Sequence, residues 1–433
     1  MNRILFFLFW TYLLAACSNK KFISDPPDYN AFLIDESRIE RETGKVRAEI
    51  EFWQNRLARD TGSFVDMLEL ASQHSRRFSL SGDVLDLHKA DSFYQRCLEK
   101  VKHTEPEIYF SLSQNAITKH RFRQAWQYLQ QADSIGVNPY FLHLLKFDAA
   151  MELGLYQEAF MNLEQVKNKN AFDYLVRKAK FEDHNGRPGT AMELMQQALM
   201  RAESSGKKSW VLWTKSNLAD MYGHAGRVKK AYKNYLEVLK TDSSYLYALK
   251  GIAWIAYSHD HNTKEARRIL NYILSQTNMP DLWLMLAEIA EWENDTTGKI
   301  KYISRFLSEA EMPAYENMYN KYLITIYTTE TNEFDRALAL AQEEVSSRPT
   351  PETYSWLAWT YYKKGDTAKA ARLINDYVLD KTFEPDVLLH AAFILKANGN
   401  RELSRELFNK CLAASFELGP VAAAQIKQQL AGL

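Results

Sequence analysis

Hydrophobic residues are arranged along this chain in two different ways. From Ile4 to Ala16 they form an unbroken run without a charged residue. From about Phe64 to Ala414 they return at three- and four-residue intervals, interrupted by short polar stretches. That periodicity predicts amphipathic helices rather than strands. A separate stripe of Val46, Ile50, Trp53 and Leu57 predicts one more helix over 39–57, ahead of the others.

The helical pattern repeats itself. Around Tyr361 the chain reads YSWLAWTYYKKGDTAKAARLI, and thirty-four residues later it reads LLHAAFILKANGNRELSRELF. Tyr354 falls on Leu388, Ala358 on Ala392, Tyr361 on Leu395, Gly365 on Gly399 and Ile374 on Phe408. Leu218, Ala219, Tyr222, Gly226, Ala231 and Tyr235 form an upstream copy in the same frame. These positions resemble the tetratricopeptide (TPR) repeat, a helix-turn-helix unit of thirty-four residues. The resemblance implies an all-α solenoid, a right-handed superhelix of stacked hairpins with a helix flanking each end.

The signature positions have physical roles. Small residues recur on the first helix at Ala179, Ala219, Ala253, Ala287, Ala358 and Ala392. On the second helix they recur at Ala90, Ala125, Ala159, Ala191, Ala231, Ala266, Ala337 and Ala370. A methyl side chain lets paired helices approach closely while larger neighbours fill the gaps. Gly154, Gly186, Gly226, Gly365 and Gly399 stand where a first helix should end in a left-handed cap. The frame predicts about nine hairpins over 61–416, the first with an extended turn around Ser79–Asp83. It also predicts a capping helix over 36–60 and another over 417–433, because a terminal repeat would otherwise leave an apolar face wet. Cys97 and Cys411 occupy the same repeat position in the first and last hairpins. They are expected to be small buried hydrophobes rather than a disulfide, a nucleophile or ligands.

The run from Ile4 to Ala16 has a different meaning. Thirteen residues make about 20 Å of helix, short of a bilayer core of roughly 30 Å. Arg3 before it and Leu14-Ala15-Ala16-Cys17 at its end describe a secretory signal. The tetrapeptide resembles the lipobox of bacterial lipoproteins, which implies that 1–16 is removed and that Cys17 is lipidated. Ser18 after it, where inner-membrane lipoproteins typically carry aspartate, points by the same resemblance to the outer membrane. The absence of acidic residues until Asp25 favours its periplasmic face. Residues 17–35, with Pro26-Pro27, are expected to form a flexible tether.

Composition narrows the function. Fifty-four basic residues balance fifty-four acidic ones, without the basic footprint expected of a nucleic-acid binder. The sequence has no phosphate-binding glycine loop, no HExxH and no paired CxxC, so no enzyme and no cofactor are expected. His259-Asp260-His261 supplies ligand-type side chains, but a solvated turn is expected there rather than an ion site.

A solenoid without catalytic chemistry works through its concave face, which in TPR arrays is lined mainly by first helices. The frame projects Trp254, Tyr257, Trp292, Tyr327, Trp359 and Tyr362 onto that face as candidate partner-binding residues. Some TPR domains hold a peptide carboxylate with lysines and asparagines. Lys250 and Asn320 stand at candidate positions, but Trp254 and Ile324 replace the required companions. An apolar extended or helical segment is therefore the expected ligand. The sequence thus predicts a lipid-anchored scaffold that binds proteins or peptides of the cell envelope. A glycan- or nutrient-binding outer-membrane lipoprotein of SusD-like role is the alternative, disfavoured because repeats run almost to the C-terminus.

Overall fold

A computed structural model describes residues 22–33 and 36–433. The signal-like run and Cys17 lie outside the described residues. Among those described there are twenty-three α-helices and no strand. None of these helices is long and apolar enough to cross a membrane.

Helix α1 (Pro26–Tyr29) is followed by α2 (Glu36–Arg59), and α2 buries Val46, Ile50 and Leu57 against α3 (Phe64–Ser81). The next helices pair in chain order. Helix α3 packs on α4 (Val84–Lys100), α5 (Pro106–Thr118) on α6 (Phe122–Ile135), and α7 (Pro139–Glu152) on α8 (Tyr156–Gln165). Then α9 (Phe172–His184) packs on α10 (Pro188–Ser205), and α11 (Lys208–His224) on α12 (Val228–Thr241). The sixth pair is α13 (Leu246–Trp254) with α14 (Thr263–Gln276), and the seventh is α15 (Asp281–Trp292) with α16 (Thr296–Ala310). The last three are α17 (Asn320–Thr329) with α18 (Phe334–Ser347), α19 (Pro351–Lys363) with α20 (Thr367–Tyr377), and α21 (Pro385–Ala397) with α22 (Arg401–Ala413). Helix α23 (Ser415–Ala431) closes the chain.

The solenoid therefore contains ten hairpins, one more than the sequence frame suggests. No extended turn separates α3 from α4, because α3 continues to Ser81 and turns through Gly82 and Asp83. The last hairpin carries no alanine at the second-helix place, where Ser404 stands instead and donates to the Ala392 carbonyl at 2.8 Å. All eight second-helix alanines named above are at most 1% exposed, as close helix pairing requires. Where a turn lacks glycine, His120, His261, Asn294 and Asn332 adopt the left-handed conformation instead.

The superhelix closes on itself in a fixed register. The turn of each early hairpin meets the linker that precedes the hairpin six places later. Asn278 donates its backbone N–H to the Ser81 carbonyl at 2.9 Å. His88 meets the Ala314 carbonyl at 2.7 Å, and Arg121 pairs with Glu316 at 2.6 Å. Arg123 donates to the Ser347 carbonyl at 2.7 Å, and the Gly186 turn packs against Phe383. One superhelical turn thus spans six hairpins, and the second turn rests on the first. The inner face becomes a lumen bounded by both turns.

Both ends depart from expectation. Within the span expected to be a flexible tether, residues 22–33 dock on the fifth and sixth hairpins. The buried Asp260 carboxylate accepts from the Ile23 amide at 3.0 Å, the Ser24 amide at 2.8 Å and the Ser24 hydroxyl at 2.6 Å. Tyr29 is fully buried and donates to Glu265 at 3.1 Å. Asp260 is therefore the clasp of the N-terminal segment and not a solvated turn residue. Burial pulls its carboxyl pKa up, but the Ile23 and Ser24 donors outweigh that and leave it below the usual value.

At the other end, α23 is broken at Gly419, whose φ of 83° admits glycine readily and other residues with strain. Beyond the break, Ile426 is fully buried in the core of the last hairpin, and Lys396 donates to Gln429 at 2.9 Å. Before it, residues 415–418 turn into the lumen.

Candidate functional site

Four consecutive first helices present side chains to the lumen in strict thirty-four-residue register. Asp220 on α11, Trp254 on α13, Glu288 on α15 and Tyr322 on α17 are each thirty-four positions apart, and all line one cavity of about 610 Å³. Lys250 and Tyr247 stand one and two turns before Trp254 on α13 and line it too. The fifth hairpin adds a tyrosine from its second helix. Tyr235 reaches across the Gly251 backbone, where a Cβ would come within 2.3 Å of its ring, so only glycine leaves it room. Phe416, Glu417 and Leu418 supply the remaining wall.

The C-terminal segment is held there by defined contacts. The Phe416 carbonyl accepts from the Trp254 indole N–H at 2.9 Å and from the Ser258 hydroxyl at 2.8 Å. Its ring lies on the α11 backbone at Gly223, and Glu417 stands 3.6 Å from His224. The chain's own terminus therefore occupies part of the concave face.

The rest of the cavity is polar in an uneven way. Lys250 is paired with Asp281, and Lys321 with Asp386 at 2.5 Å. Asp220 accepts from the Tyr235 and Tyr247 hydroxyls, the latter at 2.7 Å, and Glu288 accepts from Tyr257 at 3.1 Å. Burial raises the Asp220 carboxyl above its usual range despite the two tyrosine hydroxyls. It pushes Glu288 up to about 7, against the smaller opposing effect of the Tyr257 hydroxyl. Glu417 is also raised, by burial first, with His224 acting against it.

Of the six aromatic candidates, Trp254 lines this cavity. Tyr257 and Tyr327 are each 1% exposed and belong to the core, contrary to the groove projection. The reason is local for Tyr257. After Trp254 the helix widens into a π-helical turn, Ile255–His259, with Asp260 N–H bonded to the Ile255 carbonyl at 3.1 Å. That turn directs Tyr257 onto α15. Tyr327 bonds Glu311 and carries the Arg336 guanidinium 4.3 Å from its ring centre. Trp292 is exposed but stacks on His261 at a hairpin tip, with ring centres 5.4 Å apart. Trp359 stacks on His390 at 4.4 Å, joining the last two hairpins, with Tyr362 beside it. Asn320 is buried and donates to Glu344 at 2.8 Å, so it is no part of a carboxylate clamp.

The exposed lumen aromatics are Tyr247 and Tyr322, which the projection missed together with Asp220 and Glu288. The thirty-four-residue steps from Trp254 identify Asp220, Glu288 and Tyr322. Among the described residues, no three His, Cys, Asp or Glu side chains converge as metal ligands.

The hairpin geometry, the alanine contacts and the superhelical stacking make this a tetratricopeptide solenoid. No family model and no curated protein matches the chain. Solved structures with similar helical repeats include the human IFIT1 dimer with m7Gppp-AAAA, at 11% identity, a TM-score of 0.45 and 89% of each chain covered. A tetratricopeptide repeat protein from Parabacteroides merdae is 16% identical, with a TM-score of 0.34 over 60% of this chain and 97% of the other. YrrB, described as a TPR protein with an unusual peptide-binding site, is 14% identical, with a TM-score of 0.27 over 46% and 95%.

Proposed function

We propose that this protein is a lipid-anchored, non-catalytic scaffold of the bacterial outer membrane, facing the periplasm, which holds a protein or peptide partner in its superhelical lumen. The observation that carries this reading is the lumen wall. Successive first helices aim exposed tyrosines, a tryptophan and charged groups at one cavity, whereas side chains that only finish a core are mostly apolar and covered. Such a surface gives large aromatic contact area with a few fixed polar groups, the composition of a binding pocket.

The lipobox-like Leu14-Ala15-Ala16-Cys17 supports the anchoring. Cys17 lies six positions before Ile23, so a lipid on Cys17 would lie within about 22 Å of the docked N-terminal segment. The anchor would then hold the solenoid close to the bilayer by its fifth and sixth hairpins rather than on a long leash.

Cell fractionation with palmitate labelling tests the anchor. Wild-type chain should label and sediment with outer membranes, whereas Cys17→Ser should not label and should remain in the soluble or precursor fraction. An unlabelled wild type that fractionates like the variant would refute it.

A further inference from the structure

We propose that the lumen is selective for a cationic segment, one that carries lysine or arginine side chains on an otherwise apolar or aromatic stretch. This deepens the reading above and rests on the lumen being the binding face.

The argument is a local charge inventory. The cavity wall carries five carboxylates, those of Asp220, Asp281, Glu288, Asp386 and Glu417. It carries two lysines, Lys250 and Lys321, and both are committed to Asp281 and Asp386. Asp220 and Glu288 are left with tyrosine hydroxyls as their hydrogen-bond partners, and Glu417 stands 3.6 Å from His224, the one histidine of the wall. Lys250, Lys321 and His224 act on Asp220 or Glu417 from a distance, but three cationic groups still face five carboxylates. The whole chain is neutral, so this excess of negative charge belongs to the lumen and not to the protein at large.

A carboxylate removed from water gains from an opposite charge and loses heavily when sealed in without one. An apolar segment entering the cavity would strip water from Asp220 and Glu288 and replace it with nothing, and an acidic one would add repulsion. A basic side chain supplies what both lack. The raised carboxyl values at these two positions fit that picture, because each group holds its charge at a cost that a cation would relieve. The wall also offers Trp254, Tyr247 and Tyr322, aromatic faces that attract ammonium and guanidinium groups. Asp220 and Glu288 lie on helices separated by α13, roughly 16–20 Å apart in helix axes at 8–10 Å per neighbour. Two basic residues about five or six positions apart on an extended strand match that spacing.

Three capped hexapeptides serve as probes for calorimetry and thermal shift on the full chain: Lys-Ala-Phe-Ala-Ala-Lys, Ala-Ala-Phe-Ala-Ala-Ala and Glu-Ala-Phe-Ala-Ala-Glu. The lysine peptide should bind at least tenfold more tightly than the other two and raise Tm. The double variant Asp220→Asn/Glu288→Gln, checked for unchanged helicity, should lose at least tenfold of that affinity. Asp335→Asn, which removes an exposed carboxylate outside the lumen, should lose none. Equal affinity for all three peptides, no binding by the lysine peptide, or binding unaffected by the double variant would overturn the cation preference. If the neutral or acidic peptide binds best and Tyr247→Ala abolishes that binding, the lumen stands as the binding face and only its charge preference falls. Lysine-peptide binding that ignores both Tyr247→Ala and the acid variant would overturn both readings.

Discussion

Trp254→Ala is expected to free the inner part of the C-terminal helix and leave the hairpins folded. The indole N–H and the Ser258 hydroxyl are the donors to the Phe416 carbonyl, and the Trp254 ring meets Tyr257 edge-on at 5.6 Å. Truncating a packed tryptophan costs about 3–5 kcal/mol. Here the loss can be relieved locally, because Gly419 separates 415–418 from a helix held independently by Ile426 and Lys396. Hydrogen exchange should therefore show lost protection over residues 415–419, retained protection beyond Pro420, and unchanged helicity. Trp254→Phe keeps most of the ring contact and forfeits the hydrogen bond, about 1 kcal/mol, so its effect should be smaller. Unchanged exchange at 415–419 in the alanine variant would show that Trp254 does not hold the segment.

The second large effect is a dependence of stability on pH that traces to the lumen. Burial pushes the Glu288 carboxyl from its ordinary value of 4.5 up to about 7 in the folded chain. A raised carboxyl pKa means that the folded state binds the proton more tightly than the unfolded state. Its stabilising effect is complete below about 4.5 and is lost as pH rises through about 7. Between pH 8 and 6.5 that single group should add about 0.8 kcal/mol, or roughly 1–2 °C in Tm. The buried histidines work the other way, and their effect begins inside this window. Burial draws His390 down to about 4 and also lowers His120 and His184, so their stabilising effect is lost as pH falls through about 6.5. The Glu288 contribution is therefore read as the difference between wild type and a Glu288 variant. Glu384, outside the lumen cavity, is also pushed by burial up to about 7. Glu288→Gln should therefore reduce the pH 6.5–8 slope relative to wild type without abolishing it and, at pH 8, be more stable than wild type by up to about 3 kcal/mol. An equal slope in both proteins would contradict the assignment.

Much of the solenoid can be read from the sequence because its cause is periodic. Alanines at thirty-four-residue intervals mark where helices touch. Cys97 and Cys411 are fully buried at one equivalent repeat position, with Sγ directed at the Phe64 and Pro385 carbonyls, and burial pushes their thiols up to about 11 and about 12. The parts that resist such reading arise from contacts with no period. The clasp of Asp260 on Ile23 and Ser24 links residues more than 230 positions apart. The six-hairpin closure joins turn to linker through groups as different as the Asn278 backbone N–H and the Arg121 and Phe383 side chains.

The site shows the same division. Trp254 is recognisable from the frame, and steps of thirty-four residues from it reach Asp220, Glu288 and Tyr322. The π-helical turn after Trp254 shifts the phase by a fraction of a turn, enough to move Tyr257 from lumen to core. The entry of 415–418 into the lumen depends on a single backbone reversal at Gly419, which periodicity does not encode.

Site-directed photo-crosslinking in intact cells tests the central claim, that partners are held inside the superhelix. A photoreactive phenylalanine analogue would replace Tyr247 or Tyr322, which face the lumen, or Met200, which is exposed on a second helix. Discrete adducts should form from positions 247 and 322, not from 200, and should disappear in the Asp220→Asn/Glu288→Gln background. Adducts that form from position 200 while the lumen positions stay silent would place the partner on the outer surface and contradict the account.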